Sequence, residues 1–168
     1  MPGPAASARQ PARIRPACAA DRPALAEMVS RCTASTRSLR FLAPLRSFPE
    51  PYLTEALSGH PEHFALVAAT PAAVVALASC RAVAGGTAEL AVLVEDARQR
   101  EGIGTRLLKR LIEHADRSDL RMLRATLLAE QEWIVRPLRA YGTCTAMMRK
   151  GVLEVTLRRR ANDAEQHN

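Results

Sequence analysis

A mixed α/β domain, with a central and mostly antiparallel sheet flanked by helices, is what three features of the 168-residue chain predict. First, apolar runs at residues 63–70 (HFALVAAT), 73–82 (AVVALASCRA) and 88–94 (AELAVLV) are separated only by turns at Pro71 and at Gly85 and Gly86. Short connections of that kind join antiparallel strands. Second, Ile103, Leu107, Leu108, Leu111, Ile112 and Ala115 recur at helical spacing, with Arg106, Lys109, Arg110 and Glu113 on the wet face. Third, residues 120–128 (LRMLRATLL) read as another strand after that helix. A strand, helix, strand order implies one right-handed parallel crossover in the otherwise antiparallel sheet.

Taken in order, residues 1–12 read as a flexible leader and 13–17 (RIRPA) as a short first strand ending near Pro16. Asp21 is placed to cap a helix with Pro23 in its first turn and Leu25, Met28, Val29 and Cys32 on its inner face. Residues 35–48 (STRSLRFLAPLRSF) form a polar and aromatic loop with room for a helical turn, and 49–58 a short helix closed by Gly59. The hairpin strands and the long helix, which ends near Arg117, come next. Residues 133–141 read as the last helix, ended or kinked by Pro137. Residues 144–148 and 152–157 make a closing hairpin around Arg149, Lys150 and Gly151. One domain therefore spans 13–158, with a flexible polar tail over 159–168.

Composition narrows the function classes. The net charge of +7 invites an acidic partner, but all except Lys109 and Lys150 of the 24 basic residues are arginines spread along the chain. Nucleic acid is therefore not expected as a partner, whereas a polyanionic small molecule suits the charge. Cys18, Cys32, Cys80 and Cys144 form no metal-ligand spacing, and His60 and His63 stand without a further ligand pattern, so no metal is expected. Free thiols suit a reducing cytoplasm. No apolar run is long enough to span a membrane, and no continuous apolar leader marks a signal peptide.

The stretch between the third apolar run and the long helix carries the chemistry. Gln99, Arg100, Glu101, Gly102, Ile103 and Gly104 place two glycines at the mouth of a helix, where free N–H groups and the helix dipole attract an anion. A phosphate loop of the GxxxxGK type is absent, and Leu107 stands where a dinucleotide fingerprint needs a small residue. The run resembles the (Q/R)xxGx(G/A) pyrophosphate loop of the GNAT N-acetyltransferases, and the likeness extends over residues 13–157. Within that family, TRSLRFLAPLRSFPEPYL, TAELAVLVEDARQREGIG and GVLEVTL resemble segments of the bacterial Pat-like protein lysine acetyltransferases. Two departures stand out: Gln131 replaces the usual Asn after the crossover strand, and Tyr141, Gly142 and Thr143 replace an expected Gly-Phe.

The resemblance implies a GNAT fold in which the parallel strands over residues 88–94 and 120–128 splay apart. It implies acetyl-CoA as cosubstrate. Val92, Leu93 and Val94 would pair with its pantetheine arm, Arg100, Glu101, Gly102, Ile103, Gly104 and Thr105 would hold its pyrophosphate, and Gln131 would border its acyl end. It implies an amine acceptor, foremost a protein lysine, with Glu89 as general base and Tyr141 as proton donor to the leaving thiolate. Independently of the family, Glu89 is a charge inside an apolar run, which calls for a reason; an arginine partner or solvent at a sheet edge is the alternative. Glu130 and Glu132 lie where they would attract a basic peptide or simply be solvated. A small-molecule amine acetyltransferase and a non-catalytic acyl-CoA-binding module remain the rival readings. A homodimer is compatible with the sequence and not required by it.

Overall fold

The computed structural model describes residues 10–159. Its strands are β1 (Arg13–Pro16), β2 (His63–Ala69), β3 (Val74–Val83), β4 (Thr87–Val94), β5 (Met122–Leu127), β6 (Gly142–Arg149) and β7 (Val152–Arg159). They form one seven-stranded sheet in the order β1-β2-β3-β4-β5-β7-β6. Every neighbouring pair is antiparallel except β4 with β5. The expected hairpins and the single parallel crossover are present.

Helices cover both faces of the sheet centre, which is why β2 to β4 read as nearly unbroken apolar runs. On one face, α4 (Ile103–Arg117) packs on β2, β3 and β4. There Leu66, Ala68, Ala76, Ala78, Ala88 and Leu90 meet Leu107, Leu111, Ile112 and Ala115 in the larger core cluster. Full burial of one such Leu or Ile is worth about 1.5–3 kcal/mol, and this stripe fixes α4 against the sheet. On the opposite face, α1 (Arg22–Arg31) and α3 (Glu50–Ala56) pack on β3 and β2. Leu25, Met28, Leu53, Val67, Leu77 and Leu93 are part of that second cluster. Alternation along β2 thus sends Leu66 and Ala68 to one core and Ala65 and Val67 to the other.

Four local expectations change. The loop over 35–48 contains a full helix, α2 (Ala34–Phe41). Its only buried residue is Thr36, so it has no apolar stripe for a periodicity reading to find. The last helix is broken into a 3-10 segment (Ala129–Ile134), one α turn, α5 (Val135–Leu138), and a second 3-10 turn (Arg139–Tyr141). Pro137 lies inside that single α turn, where there is little helix for it to disrupt. Asp21 occupies the position before α1 but makes no cap bond to it. Its buried carboxylate instead accepts two bonds from Arg15, at 2.6 and 2.7 Å, and one from the Cys18 amide at 2.9 Å. The Arg15 bonds hold this carboxyl below the usual Asp range, and burial opposes them without prevailing. Finally, β7 continues through Arg159, into the segment read as tail.

The leader and tail otherwise fall at residues 1–9 and 160–168, outside those described. Ala12, at the end of the leader reading, is buried against the larger core. Among the described residues, no helix is long and apolar enough to cross a membrane.

Candidate active site

β4 and β5 share only three register pairs, Thr87 with Met122, Ala88 with Leu123 and Glu89 with Arg124. Beyond Glu89 the two strands diverge, while β4 stays paired with β3 as far as Val94. Residues 90–94 therefore have no strand partner on the β5 side. Two cavities open along this gap, one of about 740 Å³ and one of about 500 Å³. Val92, Leu39, Arg40, Leu108, Gln131 and Ile134 line both, so the cavities share a wall.

The smaller cavity lies where β4 runs into α4. Its wall includes Val92, Leu93, Val94, Arg100, Gly102, Ile103, Gly104, Thr105 and Gln131, nine of the ten residues expected to bind a cofactor. Glu101 is the tenth and lines neither cavity; it forms an ion pair with Arg98 at 2.8 Å. The turn is tight because Arg100 and Gly102 both take left-handed backbone angles, φ 63° and 74°. Gly102 precedes α4 and supplies no side-chain cap, leaving the first helical amides facing the cavity end of the turn. At Gly104 an added β-carbon would lie 3.7 Å from Val94, 3.9 Å from Trp133 and 4.0 Å from Val92. A glycine there keeps a slot open between β4 and the Trp133 ring, where a side chain would stand.

This turn is anchored to α2. Gln99 Nε2 donates to the Val94 carbonyl at 3.1 Å and to Thr36 Oγ1 at 3.2 Å. Asp96 accepts from the Thr33 amide at 2.8 Å, the Thr33 hydroxyl at 2.7 Å and the Thr36 hydroxyl at 2.7 Å. Burial pushes the Asp96 carboxyl up, but these bonds outweigh it and hold the group below its ordinary value. The sequence offered no sign of Thr33, Thr36 and Asp96 as one unit, nor of Trp133 as a wall.

The larger cavity is lined by side chains of both charges. Glu89 is on its wall, but it is not buried among apolar groups as its run suggested. Its side chain is 49% exposed and bonds Arg81 Nη2 at 2.7 Å across the β3–β4 register. Arg81 is held firmly charged by that carboxylate. Tyr52, Glu55, Arg40, Arg124 and Glu154 stand on the same wall. Tyr141 is half-buried against the larger core and lines neither cavity. Glu130 lines the smaller cavity, and Glu132 lines neither.

The sequence pattern of the acetyltransferase (GNAT) family matches residues 29–133, well over half of the chain. The chain belongs to that family. Several hundred solved chains share its fold. The GNAT domain of S. lividans PAT superposes with a TM-score of 0.76 at 21% identity, covering 88% of this chain and 90% of that one. Salmonella typhimurium yncA, solved with its cofactor acetyl-CoA, gives 0.68 at 21%, over 92% and 98%. The PaiA N-acetyltransferase of Thermoplasma acidophilum, in complex with coenzyme A, gives 0.65 at 11%, over 88% and 98%. Among curated proteins no sequence matches this one.

The family is one of N-acetyltransferases, whose cosubstrate is acetyl-CoA. The small cavity fits that cosubstrate chemically. The uncapped amides of α4 and the glycine turn suit a pyrophosphate, and the unpaired edge of β4 suits an amide-bearing arm.

Proposed function

We propose that this acetyltransferase modifies a lysine side chain of a protein, with Glu89 taking the proton of the acceptor amine directly or through a water. The position of Glu89 carries this reading. It is the last β4 residue paired with β5, at the vertex of the splay, and its carboxylate is on the wall of the larger cavity. Val92, on the shared wall, lies three residues further along the strand, roughly 10 Å at about 3.3 Å per residue. When bound, acetyl-CoA supplies an acetyl thioester to that junction.

A free lysine titrates near 10.4, so at neutral pH it arrives protonated and unreactive. Glu89 accepts the proton of the lysine ammonium, the nitrogen lone pair bonds to the acetyl carbon, and the C–S bond breaks with its electron pair on sulfur, which takes up the second proton released from the nitrogen. The backbone atoms of residues 92–94 and the amides before Thr105 hold the donor, and Gln131 borders both cavities, with Oε1 accepting from the Leu128 amide at 3.3 Å. No proton is assigned to Tyr141. The breadth and mixed charge of the larger cavity favour a peptide over a compact amine, in keeping with the Pat-like segments of the sequence. Four unpaired cysteines suit a cytoplasmic setting.

The test is thiol release from acetyl-CoA by wild type and Glu89→Gln across a pH series, with lysine-bearing proteins and small amines as acceptors. A positioned base contributes on the order of 100-fold or more. Glu89→Gln should lose that factor near pH 7 and recover as pH approaches the lysine pKa. Equal rates for the two proteins overturn the base assignment, preference for small amines overturns the protein acceptor, and binding without thiol release from wild type favours a non-catalytic module.

A further inference from the structure

We propose that Arg40 and Arg124 form a carboxylate-binding site in the larger cavity, so that the preferred acceptor carries an anionic group close to its reacting amine. This rests on reading that cavity as the acceptor site.

Arg40 is the basic residue in the last turn of α2. Its guanidinium carbon lies 4.7 Å from the centroid of the Tyr52 ring and 4.9 Å from that of Phe41. Those rings are themselves fixed. Phe41 meets Phe48 edge-on at 5.4 Å, Phe48 stacks on Tyr52 at 6.0 Å, and the Tyr52 hydroxyl bonds Ser79 at 3.0 Å. A cation–π contact uses no N–H of the guanidinium in a hydrogen bond, and the N–H fork matches a carboxylate. Among the described residues, neither the Arg40 nor the Arg124 side chain has a hydrogen-bond or ion-pair partner.

Other charges on this wall are engaged. Arg81 holds Glu89 at 2.7 Å, and Glu154 faces Arg149 at 3.5 Å. Glu55 is the exception: it lies 3.6 Å from the buried ring of His63, which is uncharged near neutral pH. Arg40 and Arg124 thus have no carboxylate at hydrogen-bonding distance, on a wall that also holds the general base. Arg124 is the parallel register partner of Glu89, which puts both on one face with backbones about 4.8 Å apart. An acceptor whose amine reaches Glu89 therefore brings any group one residue away, or on its own α-carbon, near a guanidinium. The shared chemistry is a carboxylate, supplied by an acidic neighbour of a protein lysine or by the α-carboxylate of a free amino acid.

The experiment compares two lysine peptides that differ only by Asp or Asn beside the lysine, together with free lysine and lysinamide. It uses wild type, Arg40→Gln, Arg124→Gln and, as a control on the wet face of α4, Arg110→Gln. Rates are read as kcat/KM, and binding of dye-labelled peptides in saturating coenzyme A is read by anisotropy. Wild type should favour the Asp peptide by about tenfold or more, the worth of one charge-assisted contact. Each cavity variant should erase that preference, Arg124→Gln with the KM for acetyl-CoA unchanged because Arg124 lines the larger cavity alone, while Arg110→Gln keeps it. Equal handling of Asp and Asn peptides together with equal handling of lysine and lysinamide overturns the site. So does an equal loss in Arg110→Gln, which would trace the preference to net charge, or a loss in Arg40→Gln that falls on acetyl-CoA alone. If lysine is preferred over lysinamide and the cavity variants erase that, the site stands and the protein acceptor falls. If nothing turns over, the anisotropy preference still decides the site, and only the acetylation reading fails.

Discussion

Between Glu89 and Val94 one strand passes from one kind of binding surface to another. At the Val94 end the wall is mostly backbone: an unpaired strand edge, the uncapped start of α4 and a glycine in place of a side chain. At the Glu89 end it is side chains drawn chiefly from α2, α3, β3, β4, β5 and β7, with charges of both signs among them. The first surface needs a special sequence in one place, because only particular residues allow the turn. The second tolerates many sequences, because several elements share it and each contributes only a few residues. A cosubstrate common to a family belongs at the first kind of surface, and an acceptor peculiar to one member at the second.

Gly102→Glu should separate the ends most sharply. The left-handed backbone at φ 74° strains any side chain by about 1–2 kcal/mol, yet no atom lies within 4 Å of the new β-carbon. The fold should therefore survive. A carboxylate at the turn opposes a pyrophosphate, and the acetyl-CoA dissociation constant should rise by about 100-fold or more. Calorimetric titration measures it, and undiminished affinity would remove the turn from the cosubstrate site.

This contrast also decides what the sequence revealed. Gly102, Gly104 and the stripe from Ile103 to Ala115 are local, so the turn and α4 were legible residue by residue. The hairpin order was legible from Pro71, Gly85 and Gly86. Arg81 as the partner of Glu89 was within reach, since the two are equidistant from Gly85 across a hairpin. Arg40 was not, because α2 buries a threonine in place of an apolar stripe and its position depends on Asp96, sixty residues further along. Tyr141 was placed at the end of a helix over 133–141, ended or kinked by Pro137; the chain forms one α turn between two 3-10 segments there, and Tyr141 lines neither cavity.

Asp96→Asn tests whether the two ends are mechanically joined. Three donors, the Thr33 amide and the Thr33 and Thr36 hydroxyls, converge on its carboxylate. An amide has one acceptor oxygen, so at least one of them would face an NH2 group. Losing a bond to a charged group costs about 1.5–3 kcal/mol, and at this chain length a Tm drop of several degrees is expected. Because α2 reaches from this network to Arg40, the acetyl-CoA dissociation constant and the acceptor KM should both rise by a few fold. A lower Tm with both constants unmoved would make the network structural only.

Acidification should act on the acceptor end alone, and with the smallest effect. His63 is 5% exposed, neither ring nitrogen has a hydrogen-bond partner, and its ring meets Tyr52 edge-on at 5.6 Å. Burial pushes its pKa below the usual 6.5; Glu55 pulls it back up, Arg81 and Arg40 press it further down, and burial prevails. A histidine depressed in the folded state is neutral there while the unfolded chain takes up a proton. Stability is therefore complete above about pH 6.5 and declines as pH falls through that value towards the folded pKa. In His63→Leu this part of the decline should vanish, and thermal melts of the two proteins from pH 8 to 5.5 should converge or diverge accordingly. Parallel melting curves would show that His63 does not titrate differently on folding. Since the ring supports Tyr52 and Tyr52 supports Arg40, the contribution of His63 to the acceptor KM of wild type should stay level through this window, where the folded ring is neutral, and appear only as pH falls through the lower folded pKa, with the acetyl-CoA dissociation constant level throughout.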